Sequence, residues 1–177
     1  MNIFCLDEDP IKAVQMMCDK HIVKMILESA QLMSTAHREL DGDNANENLY
    51  KSTHKNHPSA KWVRESLWNY VWLYRHWVAM NDEYKLRYNK TKNHMSFDKL
   101  NDILKNPPKN IPLAKIGTLP TPAMPDYCKI KGDAVASYRK YYIMEKRRFA
   151  TWKSPATTPA WYVDGVNKIK EKECQSQ

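Results

Sequence analysis

Residues 9–38 read DPIKAVQMMCDKHIVKMILESAQLMSTAHR, and their reading decides the fold. Asp9 is placed to cap the free N–H groups of a helix start, and Pro10 suits the first helical position, where its missing donor costs nothing. No further Gly or Pro occurs until Gly42, so the spacing predicts one long helix over Asp9–Arg38. Val14, Met17, Ile22, Met25, Ile26, Leu32, Met33 and Ala36 recur at helical intervals and form a wide apolar side. A second stripe, His21, Lys24, Glu28, Gln31 and Thr35, advances by three, four, three and four residues and shares one face, flanked by Lys20 and Arg38. Such a stripe is ordinarily a solvated helix face. The functional alternative is a site centred on Glu28, with an imidazole and an amine beside it.

Upstream, Ile3–Leu6 is a short apolar run expected to pack as an extended piece between the helices, which holds the Met1 α-amine close to the body of the protein. Asn2 is too large for ordinary methionine removal, so Met1 is expected to be retained. Downstream, Leu40–Lys55 is polar and rich in Asn and Asp, and reads as a loop. His54 and His57 have no Cys or carboxylate pair nearby at ligand spacing, so they point to a basic loop entering a helix at Pro58 rather than to zinc.

A second long helix is expected over Ser59–Tyr88. Trp62, Val63, Ser66, Leu67, Tyr70, Val71, Tyr74, Trp77 and Val78 make its buried side, with Lys61, Arg64, Glu65, Arg75, Asp82, Lys85 and Arg87 outside. Trp62, Trp68, Trp72 and Trp77 are more than one face buries; most read as core, and one or two as lining a groove where bases stack. Ser96 is placed to cap a short helix, Phe97–Lys105. Residues 106–126 carry six prolines and no periodicity, as befits a wrapping surface segment. Asp133 is placed to cap a last long helix, Ala134–Ala150, and 167–177 read as a polar tail. The expected architecture is therefore all-α: a single compact domain, 1–177, of three or four main helices, with a short extended N-terminal segment between them and a long Pro-rich loop.

The formal net charge of +8 points to a polyanionic partner, either nucleic acid or an acidic surface. Tyr138-Arg139-Lys140-Tyr141-Tyr142 and Lys146-Arg147-Arg148 interleave rings with cations, the composition of a surface that holds phosphates and stacks bases, although a solvated helix face has similar letters. Cys5, Cys18, Cys128 and Cys174 show no C-x-x-C spacing and read as reduced thiols. No basic leader and no membrane-length apolar run is present, so a cytoplasmic protein is expected, in the host cytoplasm if it is viral. P-loop, G-x-G-x-x-G, nucleophile-elbow, HExxH and zinc-deaminase patterns are missing, so no cofactor or metal is expected. Any chemistry falls to general groups on helices and to the chain terminus.

The Met-Asn-Ile-Phe start, Asp19-Lys20-His21 with Glu28 seven residues after the His, Lys55-Asn56-His57-Pro58 before a long helix, and the late Trp161-Tyr162 pair together resemble the pyrimidine-dimer DNA glycosylases of the phage endonuclease V type. The likeness spans roughly the first ninety residues and the aromatic tail. It implies a nucleophilic amine at Met1, Glu28 as catalytic carboxylate and His21 as its neighbour, acting on damaged or modified double-stranded DNA as a monomer. It also implies DNA contacts among Lys20, Lys24, Arg38, Lys55, His57, Arg139, Lys140, Tyr142, Arg147, Arg148, Trp161 and Tyr162. The dimer-specific member has arginine immediately before and three residues after its Glu, to grip the damaged strand. Leu27 and Gln31 stand there in this chain, so dimer specificity is not implied, and Lys20, Lys24 and Arg38 are the nearest replacement charges. Insertions at Asp41–His54 and Asn89–Pro125 have no counterpart in that compact member.

The implied chemistry is coherent. An α-amine titrates at about 8, against about 10.4 for a lysine, so an appreciable fraction is neutral and nucleophilic at physiological pH. Two other outcomes remain open from sequence: a non-catalytic helical protein whose basic cleft binds nucleic acid or a nucleotide, and a helical interaction protein with no ligand chemistry.

Overall fold

The stretch expected to form one N-terminal helix forms two: α1 spans Pro10–Met16 and α2 spans Asp19–Asp41. They belong to a computed structural model that describes all 177 residues, Met1–Gln177, as seven α-helices and two short 3-10 turns with no strand. The expected cap holds, since the Asp9 carboxylate accepts from the N–H groups of Ile11 at 2.8 Å and Lys12 at 3.1 Å. The break comes at Met17 (φ −69°, ψ 143°) and Cys18 (φ −70°, ψ 158°), both extended. Its cause is tertiary. The buried Arg87 guanidinium donates to the Met17 carbonyl at 2.6 Å and the Gln15 carbonyl at 3.1 Å, closing the end of α1. The same group pairs with Asp19 at 3.2 Å and Glu83 at 2.9 Å. Asp19 in turn accepts from Thr151 Oγ1 at 3.0 Å and the Lys153 N–H at 2.9 Å. Arg87, expected on the outside, is thus a buried tie between three parts of the chain.

The second long helix also divides, into α3 (Pro58–Glu65) and α4 (Leu67–Arg87), at an extended Ser66 with φ −157° and ψ 157°. Ser66 Oγ caps α4 by accepting from the Asn69 N–H at 3.2 Å, and the Leu67 N–H is satisfied by the Pro112 carbonyl at 2.9 Å. A break resets the helical phase. Past it Tyr70, Leu73, His76, Trp77 and Met80 are buried, while Val71 is exposed and Val78 only half-buried. Of the four tryptophans, Trp62 and Trp77 are core, Trp72 donates to the Glu8 carbonyl at 2.9 Å, and Trp68 is exposed.

α2 is the central element, with α3, α4 and α5 (Met95–Leu104) packed against it and α1 against α4. The eight apolar positions expected from the N-terminal stripe are all buried, six of them on α2, Val14 on α1 and Met17 at the break. The cap of α5 is His94, whose Nδ1 accepts from the Ser96 N–H at 3.2 Å, rather than Ser96 itself. α6 begins at Ala134 under the expected Asp133 cap (Ala136 N–H, 2.9 Å) but stops at Glu145 instead of Ala150. The expected polar tail is helical as part of α7, Ala160–Gln175, which packs on α6 closely enough that a Cβ at Gly165 would collide with Ile143. The Pro-rich segment wraps as expected: Thr118 binds Trp62 Nε1 at 3.0 Å, and its N–H donates to Asn69 Oδ1 at 3.1 Å. Met1–Leu6 forms neither helix nor strand, the Leu6 N–H turns back to the Phe4 carbonyl at 3.1 Å, and Ile3, Phe4, Cys5 and Leu6 are buried. No helix is long and apolar enough to cross a membrane.

Replacing Arg87 by Met would leave Asp19 charged, buried and short of its counter-ion. The expected loss is about 3–5 kcal/mol, read as a lower midpoint in urea unfolding. A loss under about 1 kcal/mol would mean that the tie is dispensable.

Candidate active site

Without a β-ladder, side chains set the position of the chain start. Asn2 Nδ2 donates to the Ala123 carbonyl at 2.8 Å, and its Oδ1 accepts from the Tyr138 hydroxyl at 2.8 Å and from the Ile3 N–H at 2.9 Å. Phe4 stacks flat on His21 of α2, centroids 4.0 Å apart and planes 11° from parallel. Leu6 offers its carbonyl to Arg139 Nε at 2.9 Å. α6 and the 121–123 stretch thereby press the N-terminus onto the middle of α2.

There the Met1 nitrogen lies 3.8 Å from Glu28 Oε2, and Lys24 Nζ lies 3.9 Å from Glu28 Oε1, on the preceding turn. Both separations are ion-pair distances, too long for hydrogen bonds. Oε2 itself is buried and has no hydrogen-bond partner. A cavity of about 160 Å³ opens here, bordered by Met1, Phe4, His21, Lys24, Glu28, Tyr141 and Lys146. A wider groove of about 530 Å³ between α1 and α4 shares no residue with it.

His21 is buried, with Nδ1 2.6 Å from the Tyr142 hydroxyl, which accepts from the Cys18 N–H at 3.3 Å. Nδ1 and the Tyr142 hydroxyl share one hydrogen bond, and the same hydroxyl also lies 3.7 Å from Cys18 Sγ. Burial, and then the charges of Lys146, Lys24 and Lys20, push the His21 pKa down to about 3. The imidazole is neutral at physiological pH and serves as a flat support for Phe4 and a neutral wall of the cavity, not as a proton donor of ordinary strength.

The remaining nominated residues divide by surroundings. Lys20 lies over the Phe149 ring at 4.7 Å, and Lys140, Arg147 and Arg148 are exposed on or just past α6, Arg147 within 3.9 Å of Glu173. Lys55 is exposed and pairs with Glu39 at 3.8 Å. His57 caps α3 by accepting from the Ser59 N–H at 3.1 Å; burial lowers its pKa, the Met1 ammonium and His54 lower it further, and Glu28 opposes them. Arg38 is committed elsewhere, donating to the carbonyls of Tyr50 and Leu49 at 2.6 Å each to pin the loop after α2. Arg139 is half-buried between Leu6, Asp7 (3.7 Å) and the face of Trp161 (5.2 Å). Tyr142 is fully buried, Tyr162 is buried 4.8 Å from Trp152, and Trp161 is half-buried against Tyr142. These four are parts of the scaffold. His54 is exposed, and no cluster of three or more metal-ligating side chains forms.

Sequence reasoning passed over Asn2, Phe4, Tyr141 and Lys146. The last two stood inside the basic-aromatic run, but which residue of that run faces the site depends on where α6 stops, and Glu145 is its last residue.

The description "pyrimidine dimer DNA glycosylase" belongs to the family whose model matches residues 1–96, slightly more than half of the chain. No curated protein and no solved structure matches.

The buried neutral imidazole fixes the sign of a pH effect. Because the folded pKa of His21 lies near 3, below the ordinary 6.5, its contribution to stability is full above about pH 6.5 and is lost as pH falls toward 3. Buried His76, held near 4 by desolvation, acts in the same direction. Thermal melts from pH 7 to pH 4 should show a falling midpoint, and a shallower fall in His21→Gln. Equal slopes in the two proteins would contradict a buried neutral His21.

Proposed function

The chain belongs to the pyrimidine dimer DNA glycosylase family, and on that footing we propose that it excises a damaged or modified base from double-stranded DNA with its N-terminal α-amine as nucleophile. The observation that carries this proposal is the Met1 nitrogen 3.8 Å from Glu28 Oε2, at a cavity of about 160 Å³. The neutral amine attacks C1′ of the target nucleotide, and the C1′–N bond breaks with its electron pair leaving on the base, which takes up a proton. Loss of protons from the bound nitrogen and opening of the sugar ring give a Schiff base. Removal of a C2′ proton then expels the 3′ phosphate by β-elimination and cuts the strand, and water releases the sugar fragment.

Glu28 is suited to two parts of that sequence. Its carboxylate stabilises positive charge developing at the sugar, and its unpartnered Oε2 is free to accept a proton from the attacking nitrogen. Lys24, 60% exposed, supplies an adjacent cation at the cavity rim. Exposed Lys140, Arg147 and Arg148 are suited to the DNA backbone.

A second possibility, binding without chemistry, is favoured by Leu27 and Gln31, uncharged at the positions beside Glu28. Borohydride trapping separates the two. With a labelled duplex that contains one abasic site, the expected result is a covalent adduct after reduction. An N-terminal extension should abolish it, and Glu28→Gln should slow its formation on the order of 10²-fold or more. Tight, salt-dependent binding with no adduct would leave only the non-catalytic alternative.

A further inference from the structure

Met1, Lys24 and Lys146 border one small cavity with a single carboxylate, Glu28, between them, and Lys20 adjoins it across the Phe149 ring. The nearest acidic neighbour on α6, Glu145, is taken up by the hydroxyl of Tyr127. At the small cavity itself Met1, Lys24 and Lys146 thus outnumber the one carboxylate, Glu28. The same three lysines act together on His21, which places their fields at one point.

Lys146 is the unusual member. It follows the last residue of α6, outside the matched segment 1–96, and it makes no ion pair. Its Nζ sits 4.4 Å over the Tyr141 ring and donates to the Tyr141 hydroxyl at 3.1 Å. One of three ammonium donors is used and two remain, on a side chain already held in place. Tyr141 and Lys146 also border a second groove of about 600 Å³, where Arg147 and Arg148 stand with one carboxylate, Glu145. The pair forms a sill between the open groove and the Met1–Glu28 cavity.

We propose that Lys146, positioned by Tyr141 and assisted by Lys24, is a phosphate-binding residue that grips a DNA phosphodiester next to the sugar presented to Met1. The location of the sugar rests on the amine chemistry proposed above. Lys146, just past α6, thus supplies charge that Arg38, tied to its loop, and uncharged Leu27 and Gln31 do not. The groove beyond the sill, with Arg147 and Arg148, continues the backbone path away from the cavity.

The test uses the full chain with a free N-terminus and a duplex holding a tetrahydrofuran abasic analogue. That analogue has no aldehyde, so it reports binding without Schiff-base formation. Affinity is measured from 50 to 200 mM KCl for the wild type, Lys146→Met, Lys146→Arg and Lys170→Met, an exposed α7 substitution with the same charge change. Lys146→Met should bind about tenfold more weakly at 100 mM salt, with the log–log salt slope reduced by about 1. Lys146→Arg should restore both, and Lys170→Met should change neither. Melting curves confirm that each variant is folded; a cooperative Lys146→Met transition with wild-type DNA affinity and slope overturns the proposal. So does a deoxynucleoside 5′-monophosphate whose binding needs Lys146 when duplex binding does not, since the site would then take a terminal phosphate. A trapped adduct with unchanged Lys146→Met binding sinks the phosphate site alone. No adduct, with the salt slope still changed, sinks the amine chemistry and keeps the phosphate site.

Discussion

The two hydrogen bonds that clasp the Asn2 amide, to the Ala123 carbonyl and the Tyr138 hydroxyl, are the constraint on which the site depends. A chain start ordinarily frays, because few contacts repay the entropy of ordering it. Here no sheet fixes the first residues. Burial of Ile3, Phe4, Cys5 and Leu6 supplies the drive, and the Asn2 clasp supplies the register. One residue upstream, the α-amine has little choice of position, and α2 presents Glu28 to it. An amine held in this way has already lost much of the freedom that a mobile lysine would lose on reacting.

Both halves of the chain are needed for that geometry. The first half provides α2 with Glu28, Lys24 and His21; the second provides Tyr138, Tyr141, Tyr142 and Lys146 on or just past α6. Tyr142 joins the two through His21 and Cys18, and Phe4 is sandwiched into the same cluster. Arg87 performs a parallel service on the structural side, tying the end of α1, the start of α2 and α4 with one buried guanidinium. The family match ends at residue 96, so the α6 contribution lies in the part of the chain that the family model does not cover.

Much of this was legible in the letters. Asp9 and Asp133 cap helices because a short carboxylate before a periodic apolar run has few other uses. The buried stripe of α2 and the Glu28 stripe follow from the helical period alone. The breaks at Met17–Cys18 and Ser66 did not show, since no Gly or Pro marks them and their causes lie far along the chain, in Arg87 and in Pro112. Charge was the least readable property. Arg38, Arg87 and Arg139 look like surface residues in sequence and are consumed by buried carbonyls and carboxylates, and only tertiary contacts reveal that commitment. The place of His21 two turns before Glu28 was legible but its neutrality was not, because its surroundings come from α6 and the N-terminus.

Three amines border the cavity, on Met1, Lys24 and Lys146, and the identity of the reacting nitrogen is the central question. The most direct measurement is to digest the borohydride-reduced protein–DNA adduct with trypsin and locate the sugar remnant by mass spectrometry. The expected position is the α-nitrogen of Met1, in the peptide of residues 1–12. A remnant on Lys24 or Lys146, with an unmodified N-terminal peptide, would contradict the assignment of the chain terminus as nucleophile.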